Sequence, residues 1–142
     1  MPARTSSETV TSGVRVRALP MYLPAESDPD ARRFVFGYRI RITNESEQQV
    51  KLLSRYWLIV DANGAEATVR GEGVVGQQPE LGPGESFEYS SYCPLTTPWG
   101  TMEGKYTMVH LFDGPKESRG PVFEIDIARF YLVSQPAERP TA

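Results

Sequence analysis

From Phe34 to Thr43 the chain alternates strictly. Phe34, Phe36, Tyr38, Ile40 and Ile42 take one set of positions, and Val35, Gly37, Arg39, Arg41 and Thr43 take the other. Successive side chains of a β-strand point to opposite faces, whereas apolar positions on a helix recur every three or four residues. A strand with an aromatic face toward a core and a basic face toward water is the arrangement this pattern allows. The same period recurs where Val14, Val16 and Ala18 alternate with Arg15 and Arg17. It returns where Phe123, Ile125 and Ile127 alternate with Glu124 and Asp126.

Turn signals separate further strands. Asn44-Glu45-Ser46-Glu47 precedes Val50 to Val60, which is apolar on both faces around Tyr56, Trp57, Leu58 and Ile59 and so reads as a central strand. Asp61-Ala62-Asn63-Gly64 ends it, and Asn-Gly predicts a type I′ hairpin turn into a shorter strand, Ala65 to Arg70. A glycine-rich connection, Gly71 to Gly84, closes on Gly82-Pro83-Gly84-Glu85. That order predicts a type II turn, with proline setting the first central φ and glycine accepting the second. Phe87 to Tyr92, Met102 to Phe112 and Val122 to Val133 complete the series. Pro94 and Pro98 bracket one loop, and Asp113-Gly114-Pro115-Lys116 forms another turn. Twelve glycines and twelve prolines in 142 residues favour such short strands over long helices.

About seven antiparallel strands without a helix predict an all-β, immunoglobulin-like β-sandwich. Trp57 on the third strand matches the buried tryptophan of such cores. A single cysteine, Cys93, excludes their paired-cysteine bridge, which makes the fibronectin type III-like variant the better comparison. The length suits one domain, residues 14–133. The polar stretches 1–13 and 134–142 are expected to be flexible tails.

Several function classes recede on charge and hydropathy. A net charge of −3 gives no concentrated basic surface for a phosphate backbone, so no nucleic-acid partner is expected. No run of eighteen apolar residues exists, and no membrane insertion is expected. Met1 to Ser6 lacks the apolar core of a signal peptide. With one unpaired cysteine, the expectation is a cytoplasmic protein.

The residues also resemble a family. Trp57, Asp61-Ala62-Asn63-Gly64, the string Val69 to Pro79, Leu81 to Tyr89, Ser90-Ser91-Tyr92-Cys93-Pro94-Leu95 and Gly104-Lys105-Tyr106 follow one another as in the ApaG family. The similarity spans Val14 to Leu132. One departure stands out: where the family usually has an Ile-Pro pair before its last aromatic, this chain has Ile127-Ala128-Arg129-Phe130. The resemblance implies a fibronectin type III-like sandwich that stands alone in bacteria. In eukaryotes it is carried as a module by some F-box proteins and by a DNA-polymerase-associated protein, where it mediates protein–protein contacts. It also brings a cobalt/magnesium efflux label. Without a spanning segment, any such role would be indirect. The family supplies no established catalytic residues.

Few residues carry chemistry of their own. Gly71-Glu72-Gly73-Val74-Val75-Gly76 fits G-x-G-x-x-G, which in a dinucleotide fold joins a strand to a helix N-terminus. No helix is expected after Gly76, so Gly71, Gly73 and Gly76 are read as a structural loop, and secondarily as an anion or small-ligand loop. Cys93 reads as a core thiol and His110, in step with Tyr106 and Met108, as a packing residue. Neither they nor Asp113, Glu117 and Asp126 have metal-ligand spacing, so neither metal nor cofactor is expected. Trp99, between Pro98 and Gly100, is the candidate partner contact. The expected function is a non-enzymatic interaction module with a protein partner, the alternative being an anion-binding protein built on the Gly71–Gly76 loop.

Overall fold

A computed structural model describes residues 5–112 and 119–134 of the chain. Among these, nine strands follow in order: β1 (Ser7–Thr11), β2 (Val14–Tyr22), β3 (Phe34–Asn44), β4 (Gln49–Asp61), β5 (Glu66–Glu72), β6 (Glu80–Leu81), β7 (Ser86–Leu95), β8 (Trp99–Leu111) and β9 (Arg119–Val133). Two single 3-10 turns, Pro24–Glu26 and Pro29–Ala31, lie between β2 and β3. Among the described residues there is no α-helix, so none is long and apolar enough to cross a membrane.

The strands form two antiparallel sheets facing each other. One has the order β1-β2-β3-β7, and the other β5-β4-β8-β9 with β6 also on β4. The all-β sandwich expected from the alternation is what the chain builds. Val14, Val16, Ala18, Phe36, Ile40 and Ile42 bury one inner face, and Leu52, Met108, Ile125, Phe130 and Leu132 bury the other. Trp57 sits between them, edge-on to Tyr38 (centroids 5.4 Å apart) and to Phe130 (5.8 Å). Edge-to-face pairs of this kind add to the burial itself.

Two bulges explain apparent breaks in the alternation. On β4 the register to β8 slips between Leu52 and Ser54. The inward set therefore changes from Val50 and Leu52 to Trp57, an odd position. The apolar character on both faces of this strand thus comes partly from a change of phase, because an inserted residue shifts every later side chain to the other face. On β9, Ala128 and Arg129 stand opposite Glu103 alone, and the buried set passes from Ile125 and Ile127 to Phe130 and Leu132. The missing Ile-Pro pair falls at this bulge, one of the few strand positions where proline and non-proline residues are both tolerated.

Several local expectations differ from the structure. Residues 7–11 are not a tail: they form β1, paired with β2 from Ser7↔Ala18 to Thr11↔Val14. Ser7 Oγ donates to Ala128 O (2.7 Å) and Tyr131 N to Thr5 O (2.9 Å), so ladder bonds order a segment too polar to be ordered by burial. The Asn63-Gly64 turn is not type I′. Gly64 alone takes positive φ (85°), Gly64 N donates to Asp61 O, and Asp61 Oδ1 accepts from Asn63 N and Ala65 N. The aspartate side chain holds the chain in a type I turn completed by a left-handed glycine. The Gly82–Glu85 turn is type II as expected, with Gly84 at φ 83° and Glu85 N donating to Gly82 O. The charges of the two sheets are paired separately, Glu124 and Asp126 lying on β9 and the arginines of β2 and β3 on the other sheet. Arg15 bonds Glu8 (2.9 Å) and Glu45 (2.7 Å), whereas Glu124 faces Lys105 (3.6 Å). The turn expected at 113–116 and nearly all of the expected C-terminal tail lie outside the described residues.

The two margins of the sandwich are unlike. On one, β1 and β9 bridge the sheets through the bonds of Ser7 and Thr5, joined by Asp126 N to Thr11 Oγ1 (3.2 Å). On the other, β7 and β5 are the outermost strands of their sheets, and among the described residues no ladder joins them.

Candidate functional site

The unstitched margin opens into a cleft of about 340 Å³. Tyr38, Tyr89 and Cys93 wall it from the first sheet, and Trp57, Ile59 and Met102 from the second. Val69, Val75 and Tyr92 stand at its mouth, exposed by 39%, 51% and 70%, a concentration of solvent-facing apolar side chains at one place.

Beside the cleft runs the outer edge of β7, which no described strand pairs. Val35 N donates to Ser27 Oγ and Val35 O accepts from Leu23 N, so the Val35–Pro94 pair makes no ladder bond. Proline has no N–H to offer there in any case. Antiparallel pairs alternate between bonded and non-bonded. The N–H and C=O groups of Glu88, Ser90 and Tyr92 on β7 therefore point away from β3.

The glycine-rich segment forms one lip. Val74 N and Gln77 O (2.8 Å), and Gln77 N and Val74 O (2.8 Å), close a two-residue turn in which Val75 (φ 43°) and Gly76 (φ 79°) are both left-handed. Gly73, at φ 63°, donates its N–H to Leu53 O, and a Cβ on it would collide with Gln77 O. Gly71 is bare because the guanidinium of Arg55 lies over it, 2.7 Å from where a Cβ would be. The structure thus brings Gly71, Gly73 and Gly76 together as a hairpin that seats Val74 in the core and Val75 at the cleft. The amides of Gly73, Val74 and Gln77 are occupied by carbonyls, and the chain continues into β6, not a helix.

Sequence reasoning missed Arg55. It projects from β4 into the cleft, where Nη1 donates to the carbonyls of Glu72 (3.1 Å) and Gly73 (2.8 Å). No carboxylate among the described residues pairs with it. Its only signal in sequence is a charge inside the apolar run Val50 to Val60, which it shares with Lys51, and the neighbouring bulge obscures which way it points.

Burial governs the titratable groups nearby. It pushes the Cys93 thiol up to about 11, so near neutral pH the group is a protonated core thiol. It also raises Tyr38, against the opposing effect of a hydrogen bond with Ser91, and raises Tyr89 and Tyr106. His110 stacks on Phe123 at 4.5 Å, and no hydrogen bond joins it to Cys93. Among the described residues no three His, Cys, Asp or Glu side chains converge as metal ligands would.

Trp99 is not in a loop. β7 continues through Leu95, so Trp99 is the first residue of β8, opposite Val133 and 47% exposed, and it lines no part of the cleft.

Comparison with known proteins places this geometry. The model of the ApaG domain family matches residues 24–110. Protein ApaG of Brucella anthropi is 50% identical over 132 residues, spanning 93% of this chain and 95% of that one. The Brucella canis protein of the same name is 49% identical over the same shares. A crystal structure described as that of the ApaA protein from Bordetella pertussis aligns with a TM-score of 0.76 at 44% identity, over 93% of this chain and 97% of that one. The C-terminal domain of wzt aligns with a TM-score of 0.52 at 8% identity, over 90% of this chain and 77% of that one, a likeness of fold alone.

Proposed function

The chain belongs to the ApaG domain family, and from that premise we propose that it is a non-enzymatic protein–protein interaction module that grips an extended protein segment along the β5/β7 margin. One observation carries this reading. An unpaired strand edge on β7 runs beside an apolar cleft whose mouth holds Val75 and Tyr92. Added strands gain affinity from main-chain bonds at such an edge, and specificity from pockets that take alternate side chains. The protonated Cys93 and the absence of a nucleophile–base pair among the described residues support binding over catalysis. Trp99 is proposed as a second contact. A role in cobalt or magnesium homeostasis would be exercised through the partner.

The test uses Tyr92→Asp, a substitution at a side chain too exposed to unsettle the fold. Immobilised wild type and variant are challenged with a lysate of the native host, and retained proteins are quantified by mass spectrometry. At least one protein should bind wild type saturably and be lost from the variant. Identical retained sets would overturn the reading.

A further inference from the structure

Arg55 sets a chemical requirement on whatever enters the cleft. A guanidinium carries five N–H donors in a rigid plane and is never neutral in a protein. Here Nη1 is occupied by two carbonyls, which fix the plane over Gly71 and leave Nε and Nη2 without a partner among the described residues. Nor does any described carboxylate pair with the charge, as none pairs with Arg39, Arg41 or Arg70 on the outer faces, whereas Arg15 holds Glu8 and Glu45, and Arg129 holds Glu103 at 2.7 Å. A cation oriented by carbonyls, uncompensated by an anion and set against Trp57, Ile59 and Val74, is a preorganised receptor for a negative group carried on an apolar body. Ser91 and the Tyr38 hydroxyl add polar groups on the facing wall.

We infer that the segment gripped at this margin presents a carboxylate to Arg55 and an apolar side chain to the cleft floor around Trp57. This deepens the interaction reading and rests on it. Residues two apart on a strand share a face, so an added strand can direct an acidic and an apolar residue inward together. Charge complementarity selects the carboxylate: a lysine or arginine there would meet Arg55, and a wholly apolar segment would leave its donors desolvated without a partner.

The test selects random twelve-residue peptides on the immobilised full-length protein. The recovered peptides are resynthesised beside counterparts in which each Glu or Asp becomes Gln or Asn. Affinities are measured by fluorescence polarisation, and the site by amide shifts of Val75 and Tyr92 in the isotopically labelled chain. Peptides that shift these amides should carry an acidic residue, and its amide counterpart should bind roughly tenfold more weakly, as a charge-assisted bond reduced to a neutral one would. With Arg55→Gln the two should differ by less than about twofold. Should Arg55→Gln fail to fold, the acid-to-amide comparison on wild type decides alone. Peptides that shift the cleft amides but bind equally as acid and amide overturn the carboxylate and leave the interaction reading standing. If no recovered peptide shifts those amides, both fall.

Discussion

The hydroxyls of Tyr89 and Tyr106 bond each other at 2.5 Å inside the core, joining β7 of one sheet to β8 of the other. Each is the other's buried partner, so removing one strands its mate. Tyr106→Phe or Tyr89→Phe should each cost about 1–3 kcal/mol in urea unfolding, the penalty of a buried unpaired hydroxyl. The double variant should cost clearly less than the sum, because no orphan remains. Strict additivity would show that the two hydroxyls do not meet.

Alkali should unfold the protein through the same region. Burial raises Cys93 to about 11 and raises Tyr89 and Tyr106 above the ordinary tyrosine value. In the unfolded chain the thiol ionises near about 8.5 and the tyrosines near about 10. Above those values the unfolded state binds fewer protons than the folded state, so stability falls as pH rises. It should be full below about pH 8, decline between about 9 and 11 through Cys93, and fall further above about 10 through the tyrosines. Urea midpoints at about pH 7, 9 and 10.5 measure this. Cys93→Ala should flatten the decline between about 9 and 10, and an unchanged profile in that variant would exclude the thiol as its cause.

The hairpin tip holds a conformational cost at Val75, a β-branched residue at φ 43°. Val75→Asn, which suits the left-handed region followed by Gly76, should raise stability by about 0.5–1 kcal/mol while weakening capture at the cleft. Gly73→Ala should lower stability by at least about 1 kcal/mol, since its Cβ meets Gln77 O. Titration of wild type with NAD or ATP should show no saturable binding below millimolar ligand. Micromolar binding abolished by Gly73→Ala without loss of stability would instead make the glycine segment a nucleotide site.

Trp99→Ala should change the melting temperature by no more than about 2 °C, given a side chain half in water, and should reduce partner capture several-fold. A fall of about ten degrees would place the indole among the groups that hold the end of the sandwich.

How far residues disclose their place depends on which interaction fixes it. The aromatic face of β3 is legible because one periodic strand with one buried face has a single solution: Phe36, Tyr38, Ile40 and Ile42 are all buried. β1 is illegible because Ser7 to Thr11 is held by bonds to β2 and β9, partners distant in sequence. The bulges at Leu53 and at Ala128–Arg129 shift the phase of side chains without announcing themselves in composition. The site is harder still. Gly71, Gly73 and Gly76 are conspicuous, and the structure shows why each lacks a side chain or turns left-handed. Arg55 and Tyr92, which give the cleft its charge and its rim, become distinctive only when β4 and β7 lie on opposite sides of one opening.

The stitching of one margin by β1 has a consequence for valency. With β1 and β9 bound across that side, the described residues leave one margin of the sandwich unjoined, so a molecule gripping a segment in the proposed way would hold one at a time and would not by itself bridge two identical partners. Removal of the first eleven residues would strip β1 and expose the outer edge of β2, from Val14 to Ala18. The shortened molecule would gain a second adhesive flank, and with it a route to end-to-end chains that the intact one does not have.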